Sequence, residues 1–129
     1  MVGGQWVAHP GGEIEYDVKI TDKNDSVTHG LSDFHVKSEQ YYLHIDPNVK
    51  VLATTRFNGN SAAWIDGCTM PVVWKKVYGK GRVFYSSLGH DAKDFEECPE
   101  MLEIMKRGIR WAAMSKYEKT DSLVSPVYE

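Results

Sequence analysis

The 129-residue sequence predicts an α/β domain with about five β-strands and one long helix. Strict alternation of apolar and polar residues over 13–22 and two apolar runs around a glycine loop, at 71–78 and 82–88, indicate strands. Apolar residues at helical spacing over 99–115 indicate an amphipathic helix. Because one helix cannot cover both faces of a sheet, the chain is either an α+β domain or part of a larger α/β domain.

Composition excludes several classes of function. A net charge of −3 and a sequence pI near 5.9, with the basic residues scattered, argue against a nucleic-acid partner. No apolar stretch approaches the roughly 20 residues of a membrane span, and the first residues lack the features of a signal peptide. Cys68 and Cys98 are then expected to be free thiols. We therefore expect a cytoplasmic protein that binds neither nucleic acid nor a membrane.

The N-terminal third begins with a glycine-rich stretch, residues 1–12, which is typical of a loop with a short strand at Gln5–Ala8. In Glu13–Asp22, every second residue from Ile14 to Ile20 is apolar. We predict a strand with one face in the core, either at a sheet edge or in an antiparallel pairing. The turn-forming residues that follow predict one helical turn at Ser26–His29, which Gly30 ends in the left-handed conformation.

The middle of the chain predicts further strands and a polar loop. Phe34–Val36 is a candidate short strand, and the segment Ser38–His44 continues to Pro47, which ends it. The β-branched residues of Val49–Thr55 predict a buried strand. Arg56–Cys68 is polar and contains glycine, so we predict a surface loop ahead of the hairpin.

The two apolar runs Pro71–Tyr78 and Arg82–Leu88, around the loop Gly79–Gly81, predict a β-hairpin. The second run leads directly to His90 and Asp91. Ligands of open α/β sheets bind beyond the carboxyl ends of the strands. We therefore predict that His90 is a catalytic acid or base, because imidazole exchanges protons near neutral pH. Asp91 is a second catalytic candidate, or else the N-cap of a short helical turn.

A single long helix is predicted over Pro99–Ser115, since proline suits the first turn of a helix. Apolar residues spaced by three and four predict the stripe that faces the core: Leu102, Ile104, Met105, Gly108, Ile109, Trp111 and Ala112. The polar segment 116–129 is predicted to be an extended or disordered tail. One domain over residues 1–115 is therefore expected.

A second group of candidate functional residues surrounds a pair of tyrosines, and consists of Glu39, Tyr41, Tyr42 and His44. Such groups form sugar sites, because carboxylates accept hydrogen bonds from hydroxyl groups and rings pack on apolar sugar faces. If the segment is extended, Tyr42 and His44 share one face and Tyr41 lies on the other. We predict catalytic roles for Glu39 and His44 and ligand binding by the tyrosines. Alternatively, one or both tyrosines belong to the core.

His9 lies with Trp6 in the glycine-rich N-terminal stretch. Glycines there either allow the backbone to approach a ligand or simply form turns. Three histidines and a carboxylate could also hold a catalytic metal ion, with His9, His44 and His90 as the imidazole ligands. The pattern favours this alternative less, because no local HxxxH spacing is present and the ligands would have to converge from separate loops.

Several segments in order resemble the ThuA-like (trehalose utilisation) family of the class I glutamine-amidotransferase-like superfamily. They are GGQWVAHPGG, ITDKNDSVTHGLSDF, SEQYYLHIDPNVKVLATT, MPVVWKKVYGKGRVFYSSLGHD and RGIRWAA. The similarity extends roughly from Gly3 to Ala113. It implies a flavodoxin-like three-layer α/β sandwich, of which this chain would be the C-terminal portion without the first strands and helices.

The resemblance implies a role in carbohydrate metabolism, acting on trehalose, another disaccharide or a keto-sugar. It favours ligand binding by His9 and Trp6, and it places His90 where glutamine amidotransferases carry their triad histidine. The chain has no cysteine elbow to match. Three hypotheses follow: a sugar-acting enzyme, a non-catalytic sugar-binding or interaction module, and a glutamine amidotransferase-like enzyme. The expected partners are a small-molecule sugar and either a second copy or the missing part of the domain, and no cofactor is identified.

Overall fold

A computed structural model describes residues 1–117 and shows a mixed α/β fold. The strands are β1 Gly4–Ala8, β2 Glu13–Ile20, β3 Phe34–Glu39, β4 Tyr42–Ile45, β5 Lys50–Arg56, β6 Thr69–Tyr78 and β7 Gly81–Ser86. The helices are α1 Ala92–Glu97 and α2 Pro99–Ala113, with short 3-10 turns at Ala63–Ile65 and Met114–Lys116.

Five of the strands form one sheet in the order β3-β2-β5-β6-β7, while β1 and β4 form a separate pair. All strand pairings within the described residues are antiparallel. The antiparallel pairing differs from the parallel sheet expected of a flavodoxin-like sandwich. Parallel neighbours need long crossover connections, whereas the strands here follow one another through turns and short loops. Residues 1–117 thus form a mixed α/β partial domain.

The structure confirms the alternation of buried and exposed residues predicted for strand β2. Tyr16, Val18 and Ile20 are buried in the main core, and the residues between them are exposed. The strand lies between β3 and β5 in the middle of the sheet, so the antiparallel alternative holds and the edge alternative is wrong. Fully burying an aliphatic side chain contributes about 1.5–3 kcal/mol, so this face is a major source of stability.

The hairpin of β6 and β7 is confirmed, with a shorter loop than predicted. Tyr78 pairs with Gly81, so Gly79 and Lys80 alone form the loop. Trp74 on β6 is fully buried and stacks on Tyr85 with 4.0 Å between the ring centroids. Its indole Nε1 donates a hydrogen bond to the backbone oxygen of Val2 (2.9 Å), which holds the N-terminal segment against the hairpin.

Helix α2 is confirmed, with a different buried face. Met101, Ile104 and Gly108 face the core, whereas Leu102 and Ile109 of the predicted stripe are exposed. The reason is steric: the helix lies so close to the sheet that only a glycine fits at position 108 against the ring of Phe84 on β7.

Helix α1 is the short helical turn that one of the two interpretations of Asp91 predicts. It is short, and Cys98 interrupts it in an extended conformation before α2 begins at Pro99. The helical turn ahead of Gly30 is confirmed, since the His29 N–H donates to the Asp25 carbonyl and Gly30 has a φ of +75°. Lys116 still belongs to a helical turn. The remainder of the predicted tail, 118–129, lies outside the described residues.

Two further expectations concern the cysteines and membrane-spanning segments. Cys68 and Cys98 are both free thiols, as predicted. Among residues 1–117 no helix has the length and apolar character needed to cross a membrane.

A buried ion pair joins the turn after β2 to strand β6. Lys75 Nζ lies 2.5 Å from Asp25 Oδ1, and both side chains are almost fully buried. Lys50 also contacts Asp25, and Lys75 lies over the ring of Trp111. Burial raises the pKa of Asp25, but hydrogen bonds from Lys75, the Val27 N–H and Lys50 outweigh it and leave the pKa below its ordinary value.

Asp25→Asn is expected to lower the free energy of unfolding by about 3 kcal/mol or more, because it leaves the Lys75 charge buried without its partner. The stabilisation from Asp25 is fully present above about pH 4 and is lost as pH falls through its lowered pKa. Urea denaturation at pH 7 and at pH 3 measures both effects. Glu97→Gln is the control, because both side chains of its ion pair with Lys93 are exposed. An equal loss in both variants would contradict the prediction.

Gly108→Ala is expected to destabilise the protein by about 1–2 kcal/mol. Overpacking against Phe84 costs about 1–3 kcal/mol and exceeds the gain of about 1 kcal/mol from better helix propensity. Gly81→Ala is the matched control, because its added Cβ would make only an ordinary 3.5 Å contact. Urea titrations compare the two variants, and a stabilised Gly108→Ala protein would show that the helix is not held so close to β7.

Candidate functional site

The carboxylate of Glu39 lies between two histidines from distant parts of the chain. His9 Nδ1 is 2.9 Å from Glu39 Oε1, and His90 Nδ1 is 3.1 Å from Oε2. The carboxylate is largely buried, whereas both imidazoles are about half-exposed. With Trp6 and Tyr41, these three residues form what we name the Glu39 cluster.

Each histidine reaches Glu39 from a turn. His9 follows β1, and its carbonyl accepts a hydrogen bond from the Gly12 N–H (3.0 Å), which closes a tight turn into β2. His90 follows β7 after Gly89, whose φ of +91° bends the chain. A side chain at Gly89 would also collide with the ring of Phe95. Position 89, beside His90, therefore requires glycine for steric reasons.

Asp94 of α1 fixes the positions of His90 and Glu39 relative to each other. One of its carboxylate oxygens, Oδ2, accepts hydrogen bonds from the His90 N–H (2.7 Å) and from the Ser38 hydroxyl (2.6 Å). Ser38 is buried on β3 next to Glu39. Burial raises the pKa of Asp94, but the hydrogen bonds from His90 and Ser38 outweigh it and lower that pKa below its ordinary value.

Aromatic rings form one wall of the cluster. Tyr41 contacts Trp6 and His9 edge-on, with centroid distances of 6.4 and 6.3 Å, and Trp6 lies 5.8 Å from His9. Burial and a hydrogen bond with Glu39 raise the pKa of Tyr41. The Trp6 ring is 53% exposed, so an apolar face remains open to solvent beside the carboxylate.

The contact of His9 with Glu39 is close without being a directed hydrogen bond. His9 Nδ1 is buried and, among residues 1–117, has no hydrogen-bond partner of suitable geometry, although Glu39 Oε1 is 2.9 Å away. A carboxylate with an imidazole at each oxygen can pass a proton to or from a bound hydroxyl group, and small rotations would complete the hydrogen bonds on binding.

The structure does not bring His44 to the Glu39 cluster, so its predicted catalytic role stays a prediction. His44 is exposed on β4, and its ring contacts Tyr42 (6.2 Å). Tyr42 in turn packs against Phe57 and Trp64. The reason is the alternation along an extended segment, which turns Tyr41 toward His9 and turns Tyr42 and His44 away.

Asp91 has the structural role that the sequence left open. It is the N-cap of α1, and its carboxylate accepts a hydrogen bond from the Lys93 N–H (2.7 Å). Sequence reasoning missed Asp94 and Ser38. An acidic residue three positions after a cap residue is a recognised pattern at helix starts, and it could have indicated Asp94.

The alternative of a metal site formed by His9, His44 and His90 gains no support. Within residues 1–117, no three His, Cys, Asp or Glu side chains are arranged to hold a metal ion. A groove of about 1000 Å³ lies on the outer face of the sheet, but none of the Glu39 cluster residues lines it. The candidate site is therefore defined by the convergence of two imidazoles on the Glu39 carboxylate, not by this groove.

The fold and the cluster together define a mixed α/β domain in which two half-exposed imidazoles converge on one carboxylate. The sequence matches the ThuA (trehalose utilisation) family over residues 1–112. The chain therefore belongs to the ThuA family. No curated protein sequence matches it significantly.

Two solved structures are similar to this chain. A ThuA-like protein from Parabacteroides merdae has 25% sequence identity and a TM-score of 0.68, and the match covers 94% of this chain and 44% of that one. A ThuA-like protein from Bacteroides uniformis has 18% identity and a TM-score of 0.69, with 86% and 48% covered. The chain thus spans less than half the length of the solved relatives it matches.

Asp94→Asn is expected to lower the free energy of unfolding by about 1–2 kcal/mol, since hydrogen bonds to a charged acceptor contribute about 1.5–3 kcal/mol and this carboxylate is partly exposed. It should also speed hydrogen exchange at the His90 amide. Glu97→Gln on the same helix is the control, because Glu97 makes only an exposed pair with Lys93. Urea denaturation and amide exchange by NMR test this, and an unchanged His90 exchange rate would contradict the proposed link.

Proposed function

We propose that this chain is part of a ThuA-like domain that binds a sugar at the Glu39 cluster and acts on it in trehalose or related disaccharide metabolism. Membership of the trehalose utilisation family supports the substrate class. The observation that carries the site is the convergence of His9 and His90 on the two oxygens of one carboxylate.

The parts of the cluster suit a sugar. The Glu39 carboxylate would accept hydrogen bonds from sugar hydroxyl groups, and His9 and His90 would act as general acid and base toward the same substrate. The exposed ring of Trp6 would pack on an apolar sugar face. A keto-sugar fits the same chemistry, since a proton next to a carbonyl group is removed by a carboxylate or an imidazole.

We also propose that the complete domain has the flavodoxin-like three-layer architecture. The support is that both solved relatives are more than twice as long as the part of them that matches this chain. The antiparallel sheet described above would then be one portion of that domain.

A non-catalytic sugar-binding module is the second candidate. It is favoured by the open position of the cluster, since Trp6 and both imidazoles are about half-exposed and catalytic sites usually exclude water. A glutamine amidotransferase-like enzyme gains no support. Cys98 is buried, and burial raises the pKa of its thiol, which disfavours the nucleophilic thiolate.

Glu39→Gln, His9→Ala and His90→Ala are each expected to weaken sugar binding about tenfold or more, because a hydrogen bond to a charged group contributes about 1.5–3 kcal/mol. Isothermal titration calorimetry with trehalose, and with a keto-disaccharide prepared from it by oxidation, measures the loss. His44→Ala is the control, since His44 is an exposed histidine outside the cluster.

Turnover of the same sugars, followed by NMR, separates the two candidates. An enzyme should lose turnover in Glu39→Gln by a larger factor than it loses binding, whereas a binding module shows no turnover in any variant. If His44→Ala weakens binding as much as the three cluster variants do, or if none of the four changes it, the proposed site is wrong.

A further inference from the structure

Helices α1 and α2 present an apolar surface that nothing in residues 1–117 covers. Leu102 and Ile109 of α2 are 37% and 58% exposed. A concavity of about 440 Å³ lies between the two helices, and its lining is almost entirely apolar. We name this surface the helix face; it consists of Ala92, Phe95, Leu102, Met105 and Ile109.

The helix face is distinct from the side of α2 that packs on the sheet. Met101, Ile104 and Gly108 point to the core. Leu102 and Ile109, separated by seven residues and therefore aligned along the helix, point elsewhere. These two residues widen the apolar stripe of α2 beyond the part that the sheet covers. Apolar surface that one contact leaves open is available for packing against a second element.

The helix face also has the shape of a contact surface. Phe95 and Leu102 border the concavity between α1 and α2, which is large enough to receive side chains from another element. The charged residue at its border is Glu96, so a partner would meet apolar groups in the centre and a charge at the rim. Interfaces with this arrangement bury their apolar centre on association.

We propose that the helix face is the docking surface for the remaining part of a ThuA-like domain. The match to the Parabacteroides merdae protein uses 94% of this chain but only 44% of the relative. More than half of that relative therefore has no counterpart here, although it belongs to the same chain as the matched part. This favours the rest of the domain over a second copy of residues 1–129 as the occupant, and the inference does not depend on the proposed sugar site.

A chimera tests the proposal. The chimera joins this chain to the part of the Parabacteroides merdae protein that lies outside the match. The two parts keep the order that they have in that relative, and the covalent link gives them a high effective concentration. Leu102→Asp/Ile109→Asp is introduced into the chimera and into the chain alone. Tyr78→Asp is the matched control, because Tyr78 is 59% exposed on the hairpin, far along the chain from the helix face. Thermal unfolding and sedimentation velocity are measured for each.

The proposal predicts that the double substitution lowers the Tm of the chimera by at least about 5 °C more than the Tm of the chain alone, whereas Tyr78→Asp has the same effect in both. It is overturned if the losses are equal in both proteins, which would mean that residues of this chain cover the helix face. It is also overturned if the chain alone is a dimer that the double substitution converts to a monomer, or if the chimera is no more stable than the chain alone.

Discussion

The geometry of the candidate site depends on one carboxylate outside it. Asp94 accepts hydrogen bonds from the His90 backbone and from the Ser38 hydroxyl, and so joins the segment after β7 to the end of β3. Glu39 is the next residue after Ser38, so its side chain meets His90 only while this link holds. A short helix that is marginal by itself is thus fixed by the same hydrogen bonds that bring the site together.

Two surfaces of residues 1–117 are open. The main helix packs on β7 through Gly108, but Leu102 and Ile109, which flank the packed residues on that helix, are exposed. The Glu39 cluster is also open, with half-exposed imidazoles and an exposed indole ring. Both features fit a chain that spans less than half the length of its solved relatives.

Local patterns predicted the local structure well. The alternation of β2, the hairpin of β6 and β7 and the extent of α2 follow from hydrophobic periodicity, and the structure confirms them. The part of α2 that meets the sheet could not be read from the sequence, because its apolar stripe is wide and the choice depends on the close approach of Gly108 to Phe84. Helix α1 is too short for periodicity to indicate it.

The candidate site was predicted in part. Position at the end of a strand singled out His90, and the grouping of a carboxylate with aromatic rings and a histidine singled out Glu39. The structure brings these two together with His9. The sequence offered His44 as the second imidazole because it follows Glu39 closely. Which of two neighbouring residues in an extended segment faces the site depends on the pairing of β4 with β1, and that pairing is not a local property of the sequence.

The central claim is that His9 and His90 act on one ligand through Glu39. The most direct test is a trehalose titration of protein labelled with ¹⁵N at histidine, observed through the imidazole resonances. The account predicts that the resonances of His9 and His90 shift together with one saturating Kd, while those of His35 and His44 stay in place. Saturable shifts at His44, or shifts of His9 and His90 with different Kd values, would contradict it.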